Sequence, residues 1–258
     1  MTKNFKIVLL GSGNVGFHLS QLFINKGFAI HEIYNCRAKS GIELSKKANS
    51  KFIDDISKID KNADLYIIAL TDSQIEEVSA KLKINSGVVV HTSGSTNISV
   101  LSKYFDNCGV FYPLQTFSKY VELNYSEIPF FIEGNNIFSL KLLKKFSSEI
   151  SNKVIEINSE QRKLLHISAV FASNFTNFLY TIAEDLLQKA NLNFDVLEPL
   201  IKETTRKALL NNPQNSQTGP AIRQDFKTVN EHLEVLKNDK NLLFIYDLLS
   251  KMIIDKHN

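Results

Sequence analysis

Short apolar runs, nearly unbroken rather than alternating, punctuate the first 158 residues: KIVLL, FAIHEIY, DLYIIAL, GVVVHTS, GVFYPL and PFFIE. A strand covered by helices on both faces has no solvent side to mark with polar residues. Continuous runs of this length therefore predict parallel strands in a doubly covered sheet. Amphipathic stretches such as HLSQLFINKG and QIEEVSAKLK lie between them and predict crossover helices. FSLKLLKKFSSEIS and NKVIEIN predict one more helix and an edge strand. The alternation predicts an α/β fold, a doubly wound, mostly parallel sheet with right-handed crossovers.

The pattern changes after Asn158. From Ser159 onward no convincing strand is found, and Gly219 is the sole glycine. SEQRKLLHISAVFASNFTNFLYTIAEDLLQKA reads as one long helix, with Asn158 as N-cap and Gln161 three residues on, as in a capping box. FDVLEPLIKETTRKALL, TVNEHLEVL and LLFIYDLLSKMII predict further helices, broken by the polar connector NNPQNSQTGP. Two domains are expected, an α/β domain over 1–158 and an all-helical domain over 159–258.

Composition narrows the class more than it names a function. At 258 residues, 43% hydrophobic and 22% charged, the chain is of ordinary globular type. A net charge of +3 with scattered lysines lacks the basic stripe of a nucleic-acid binder. Gly11 interrupts the N-terminal apolar run, so neither a signal peptide nor a membrane span is expected. Cys36 and Cys108 are too few and too far apart for a metal cage or a disulfide framework, so no metal is expected and a reducing cytoplasm is the expected setting.

GSGNVG, residues 11–16, is a G-x-G-x-x-G placed between a strand pattern and a helix pattern. That context gives it meaning as a Rossmann dinucleotide turn. Gly11 permits the tight turn, Gly13 lets the backbone approach a pyrophosphate, and Gly16 lets the helix pack on the strand. Ser12, Asn14 and Val15 complete the turn, whose free N–H groups meet the phosphates. An NAD site usually places Asp or Glu at the end of the second strand. Here that strand finishes at Asn35, followed by Arg37, Lys39 and Ser40, while Glu32 lies inside the strand. A guanidinium suits a 2′-phosphate, so NADP is the expected cofactor, with Asn35 and Arg37 among its contacts.

In such a sheet ligands lie beyond the carboxyl ends of the strands. Thr71, HTSGS (with Ser93) and YPLQTFS occupy those ends. They suit a nicotinamide ribose or a small polar substrate, although strand-end hydroxyls also serve as caps and turn formers. On the long helix, His166, Ser173 and Asn177 are spaced to share one face, with Asn174 beside it. Polar groups on an otherwise apolar helix need partners. They could form an acid–base site with His166 and Asn174, or an interhelical network or dimer seam. In TGPAIRQD, Arg223 could bind a substrate carboxylate or phosphate, or tie helices together through Asp225.

GSGNVG, N-x-R after the second strand, HTSGS, YPLQTFS, LHISAVFASNFTN and TGPAIRQD, in that order, resemble a bacterial family that joins a Rossmann-like NADP-binding domain to a C-terminal helical domain of unknown function. The resemblance spans nearly the whole chain. More distantly, the layout is similar to pyrroline-5-carboxylate reductase, deazaflavin-dependent NADP oxidoreductases and β-hydroxyacid dehydrogenases. It implies NADP on residues 11–16 with Arg37 at the 2′-phosphate. It also implies a homodimer through the helical domain and hydride transfer to or from a small carbonyl, imine or alcohol. His166 and Asn174 lie where β-hydroxyacid dehydrogenases place a catalytic Lys and a substrate Asn, and Lys163 comes a turn too early to replace that Lys. The hydroxyl-rich helix pair of pyrroline-5-carboxylate reductase is absent as well. Two other readings stay open: an NADP(H) sensor without catalysis, and a relay of hydride to a flavin-like coenzyme.

Overall fold

The structure, a computed structural model, describes residues 5–119 and 121–257. Eight strands form one sheet among these residues, in the order β3-β2-β1-β4-β5-β6-β7-β8. They are β1 (Ile7–Leu10), β2 (Ile30–Tyr34), β3 (Lys51–Ile53), β4 (Leu65–Ile68), β5 (Val88–His91), β6 (Cys108–Pro113), β7 (Phe130–Gly134) and β8 (Val154–Glu156). The pairings from β3 to β6 are parallel, β6 and β7 run antiparallel, and β8 is parallel to β7. Chain order reverses direction between β1 and β4, the switch point at which such sheets open a crevice.

The unbroken apolar runs have the expected cause. Ile7 and Leu9 of β1 pack into one core cluster with Leu22, Phe23 and Phe146, while Val8 and Leu10 pack into a second with Ile75 and Leu101. Leu65 and Ile67 of β4 divide from Tyr66 and Ile68 in the same way. The helices of this region are α1 (Asn14–Asn25), α2 (Ala38–Ala48), α3 (Asp72–Lys81), the single turn α4 (Ser99–Ser102) and α5 (Ile137–Ile150). β3 was not expected. Its three residues follow α2 after two intervening residues, too short a run to register as a strand.

The helical part begins as the capping signal predicts. Asn158 accepts from the Gln161 backbone N–H at 2.8 Å, and the Gln161 side chain accepts from the Asn158 N–H at 3.0 Å. The helix is not uniform, however: α6 (Ser159–Ala169) passes into a π-helical segment, Val170–Phe175, before α7 (Thr176–Lys189). A π turn closes i→i+5, one residue more than the α pattern, and periodicity alone does not reveal it.

Two compact units make up the chain, Met1–Phe178 and Leu179–Asn258. Strands give way to helices at Asn158, but the compact division falls twenty residues later, inside α7, so α6 and the π segment belong with the sheet. The second unit holds the rest of α7 with α8 (Glu198–Asn211), α9 (Phe226–Leu236) and α10 (Lys240–His257). His232 Nδ1 lies 2.6 Å from the Tyr246 hydroxyl, linking α9 to α10. Ala221, Val229 and Ser250 are the only buried residues described in this unit. No described helix is long and apolar enough to cross a membrane.

Candidate active site

The glycine turn is built by close contact. Gly11 adopts φ +117°, and a Cβ there would stand 2.3 Å from the Ala69 carbonyl oxygen. A Cβ on Gly16 would stand 2.1 Å from the Gly11 oxygen, so both glycines serve the joint between β1, β4 and α1. Gly13 differs, because a Cβ there would meet nothing within 4 Å. Its bareness serves the space outside the protein.

That space is an open cavity of about 470 Å³, lined by Ser12, Gly13, Asn14, Val15, Asn35, Cys36, Arg37, Ser40, Thr71, Gln74 and Lys119 among others. Two helices without an acid in the first turn start on it, beside α3, whose first turn carries Asp72. α1 has no side-chain cap and no acid in its first turn, and the same holds for α2. Arg37 and Lys119 are the only charged residues of the lining. Uncapped N–H groups, two helix starts and two cations make an anion site. The turn and the loop after β2 are tied together: the Ser12 N–H donates to Asn35 Oδ1 at 3.3 Å, and the Ser12 and Ser40 hydroxyls meet at 2.9 Å. Asn35 Nδ2 donates to the Arg37 carbonyl at 2.7 Å. Ser12 and Asn35, expected as cofactor contacts, thus spend these groups on shaping the cavity.

Glu32 is engaged elsewhere. Buried on β2, it accepts from Lys51 Nζ at 3.0 Å and from the Asp60 N–H at 2.8 Å. Thr71 precedes α3 and its hydroxyl donates to Gln74 Oε1 at 2.8 Å, while it also lines the cavity.

A second open cavity, about 280 Å³, lies at the end of β6 against α6 and the π segment. Tyr112, Leu114, Gln115, Thr116, His166, Ala169, Val170, Ala172, Ser173 and Asn174 line it. The π turn brings Asn174 into this wall together with Ser173, whereas Asn177, expected on the His166 face, is not part of it. His166 Nδ1 lies 3.0 Å from the Tyr112 hydroxyl. Burial pushes the Tyr112 phenol up, partly opposed by the Arg162 guanidinium, so the hydroxyl keeps its proton at neutral pH. The rings meet over Gly94, where a Cβ would stand 2.5 Å from His166 Nδ1 and 2.9 Å from Tyr112 Cζ.

Arg162, 1% exposed, fixes the start of α6. It pairs with Glu133 of β7 and donates to the Thr96 carbonyl and, at 3.1 Å, to Ser159 Oγ. The Ser159 hydroxyl also donates to Glu133 Oε2, at 2.8 Å. The HTSGS loop is part of the same scaffold. The Ser93 N–H donates to His91 Nδ1 at 3.2 Å, and Ser93 Oγ accepts from the N–H groups of Ser95 and Thr96 at 3.1 and 2.9 Å. Ser93 lines neither cavity; it builds a turn, the alternative already present in its residue type. Arg223 is exposed on the second unit, and Asp225 is the N-cap of α9, accepting from the Thr228 N–H at 3.1 Å.

Sequence reading missed Arg162 and Lys119, and singled out Tyr112 only as the first residue of YPLQTFS. Arg162 lies in what reads as a solvated first turn and Lys119 in a polar loop, and neither carries a periodic or motif signal. No group of three or more His, Cys, Asp and Glu residues among those described is placed to hold a metal.

Residues 128–253 match the family model described as a domain of unknown function, DUF2520. The chain is 41% identical to a Bacteroides fragilis protein provisionally named an NADP oxidoreductase, over 98% of this chain and 99% of that one, with a TM-score of 0.91. A Thermotoga maritima protein shares the fold at 22% identity and a TM-score of 0.81, covering 97% of this chain and 99% of its own. So does a reductive aminase of Aspergillus terreus, whose structure holds NADPH and ethyl-5-oxohexanoate, at 12% identity and a TM-score of 0.71, over 98% and 94% of the two chains. No curated protein matches the chain.

Proposed function

The chain belongs to the Rossmann-like oxidoreductase family with the C-terminal DUF2520 domain, and we propose that it is an NADP-dependent oxidoreductase acting on a small carbonyl, imine or alcohol. The observation that carries this reading is the larger cavity, with two uncapped helix starts, two cations and no carboxylate. The free N–H groups of residues 13–15 hold the diphosphate. Arg37, at the start of α2 beside Ser40, takes the 2′-phosphate, which carries about −1.5 to −2 charge at neutral pH. Glu32, already paired, gives the ribose no carboxylate.

Bound NADP(H) supplies or accepts the hydride at the substrate carbon. The matching proton moves between the substrate heteroatom and His166. The Tyr112 hydroxyl holds Nδ1, and Nε2 makes no hydrogen bond among the described residues. Nε2 is therefore the nitrogen that faces substrate. The Asn174 amide orients the same heteroatom, and Leu114, Ala169 and Val170 exclude water from that side. The second unit carries the homodimer interface.

Titration of NADPH and, separately, NADH into the protein tests the reading. NADPH is expected to bind at least tenfold tighter, and Arg37→Ala is expected to abolish the difference. Equal affinity in the wild type would remove the 2′-phosphate assignment, and binding of neither would remove the oxidoreductase. With NADPH binding in hand, a panel of aldehydes, ketones and imines provides the turnover assay. His166→Gln is expected to cut turnover about 100-fold or more while leaving NADPH affinity intact. Binding with no turnover of any panel member is the behaviour of a sensor.

A further inference from the structure

The segment after β6 crosses back over the start of α1 and is fastened there. His18, buried on the second turn of α1, uses both ring nitrogens: Nε2 donates to the Ser118 carbonyl at 2.8 Å, and Nδ1 accepts from the Tyr125 hydroxyl at 2.9 Å. Phe117 lies against the same imidazole, ring centroids 5.3 Å apart. Next to this anchor, Lys119 reaches the middle of the glycine turn, where Nζ donates to the Ser12 carbonyl at 2.7 Å. An ammonium has three donors, and this bond uses one. Lys119 has no carboxylate partner among the described residues, yet it lines the cavity that holds Gly13, Asn14 and Arg37.

We propose that Lys119 is a cofactor-binding residue outside the glycine motif, its ammonium held over the turn by the His18-anchored segment to contact the diphosphate of the dinucleotide. The proposal rests on the NADP reading above. The Ser12 carbonyl it bonds lies between Gly11 and Gly13, whereas Arg37 sits beyond β2 at the start of α2. The two cations therefore serve different phosphates: Lys119 the diphosphate that every nicotinamide dinucleotide carries, Arg37 the 2′-phosphate that only NADP carries. The helix start alone supplies about half a positive charge, and Lys119 adds a full one against the same group.

The test compares NADPH and NADH affinities for the wild type, Lys119→Met, Lys119→Arg and Arg37→Ala, each checked for an unchanged melting temperature without cofactor. Lys119→Met is expected to weaken NADPH and NADH by the same factor, about tenfold to 100-fold, the range for a hydrogen bond to a charged group. Its NADPH affinity should also depend less on salt than that of the wild type. Lys119→Arg should recover most of the loss, and Arg37→Ala should weaken NADPH alone. Unchanged affinities in Lys119→Met would overturn the assignment while leaving the NADP reading standing. A loss confined to NADPH would overturn it too, by placing the ammonium on the 2′-phosphate. If Lys119→Met lowers the melting temperature, the Lys119→Arg variant decides: recovered stability without recovered affinity also overturns it. A wild type that binds neither dinucleotide overturns both readings.

Discussion

His91 ends β5 fully buried, with Nδ1 accepting from the Ser93 N–H and Nε2 without a partner. Burial, helped by the nearby Arg162 guanidinium and opposed by Asp72, lowers its pKa to about 3. The folded protein thus holds a neutral ring that the unfolded chain would protonate near pH 6.5. Because the folded value is depressed below the unfolded one, the unfolded state takes up the proton first as pH falls. The stability is complete above about pH 6.5 and is lost progressively toward pH 3. Urea unfolding at pH 7 and pH 5 should show wild type losing about 2 kcal/mol more than His91→Asn over that interval. Equal losses in both proteins would mean that His91 is accessible to protons in the native state.

Among the elements, α6 and its π continuation matter most, because they meet the strand ends through one glycine. Gly94→Ala would drive a methyl into the space shared by His166 and Tyr112, parting the two rings. The expected result is a loss of about 1–3 kcal/mol in stability, a fall in turnover, and NADPH affinity unchanged. A variant with normal turnover would show that the Tyr112–His166 bond is dispensable. The mostly parallel sheet was legible because strands covered on both faces leave continuous apolar runs, and Asn158 with Gln161 marked the start of α6, whereas the strand order and β3 left no such trace. The glycine turn was legible because its spacing is itself the signal. The π segment was not, since a one-residue insertion into helical periodicity leaves composition untouched. Nor were Arg162 and Lys119, whose roles come from partners far away in the chain: Glu133 and Thr96 for the first, Ser12 for the second.

On the scale of the whole molecule, the second unit has helices but hardly a core. Leu200, Leu209, Leu210, Val235, Phe244 and Met252 are each more than half exposed, and Ala221 and Val229 are its only buried apolar side chains among the described residues. Ordering a residue costs about 1–2 kcal/mol in backbone entropy, which two small buried side chains do not offset for a unit of this size. The homodimer proposed above would cover these faces with a second copy of the chain. Sedimentation should therefore give a dimer at micromolar concentration, and charged substitutions at Leu209 and Phe244 together should give monomers with a lower melting temperature. A wild-type monomer that melts cooperatively and independently of concentration would overturn the homodimer. The thin interior of this unit also bears on how an activity would be found. With the proposed dimer, an assay run at high dilution would part the subunits before any compound was offered, and the right substrate could then pass through a screen as inert.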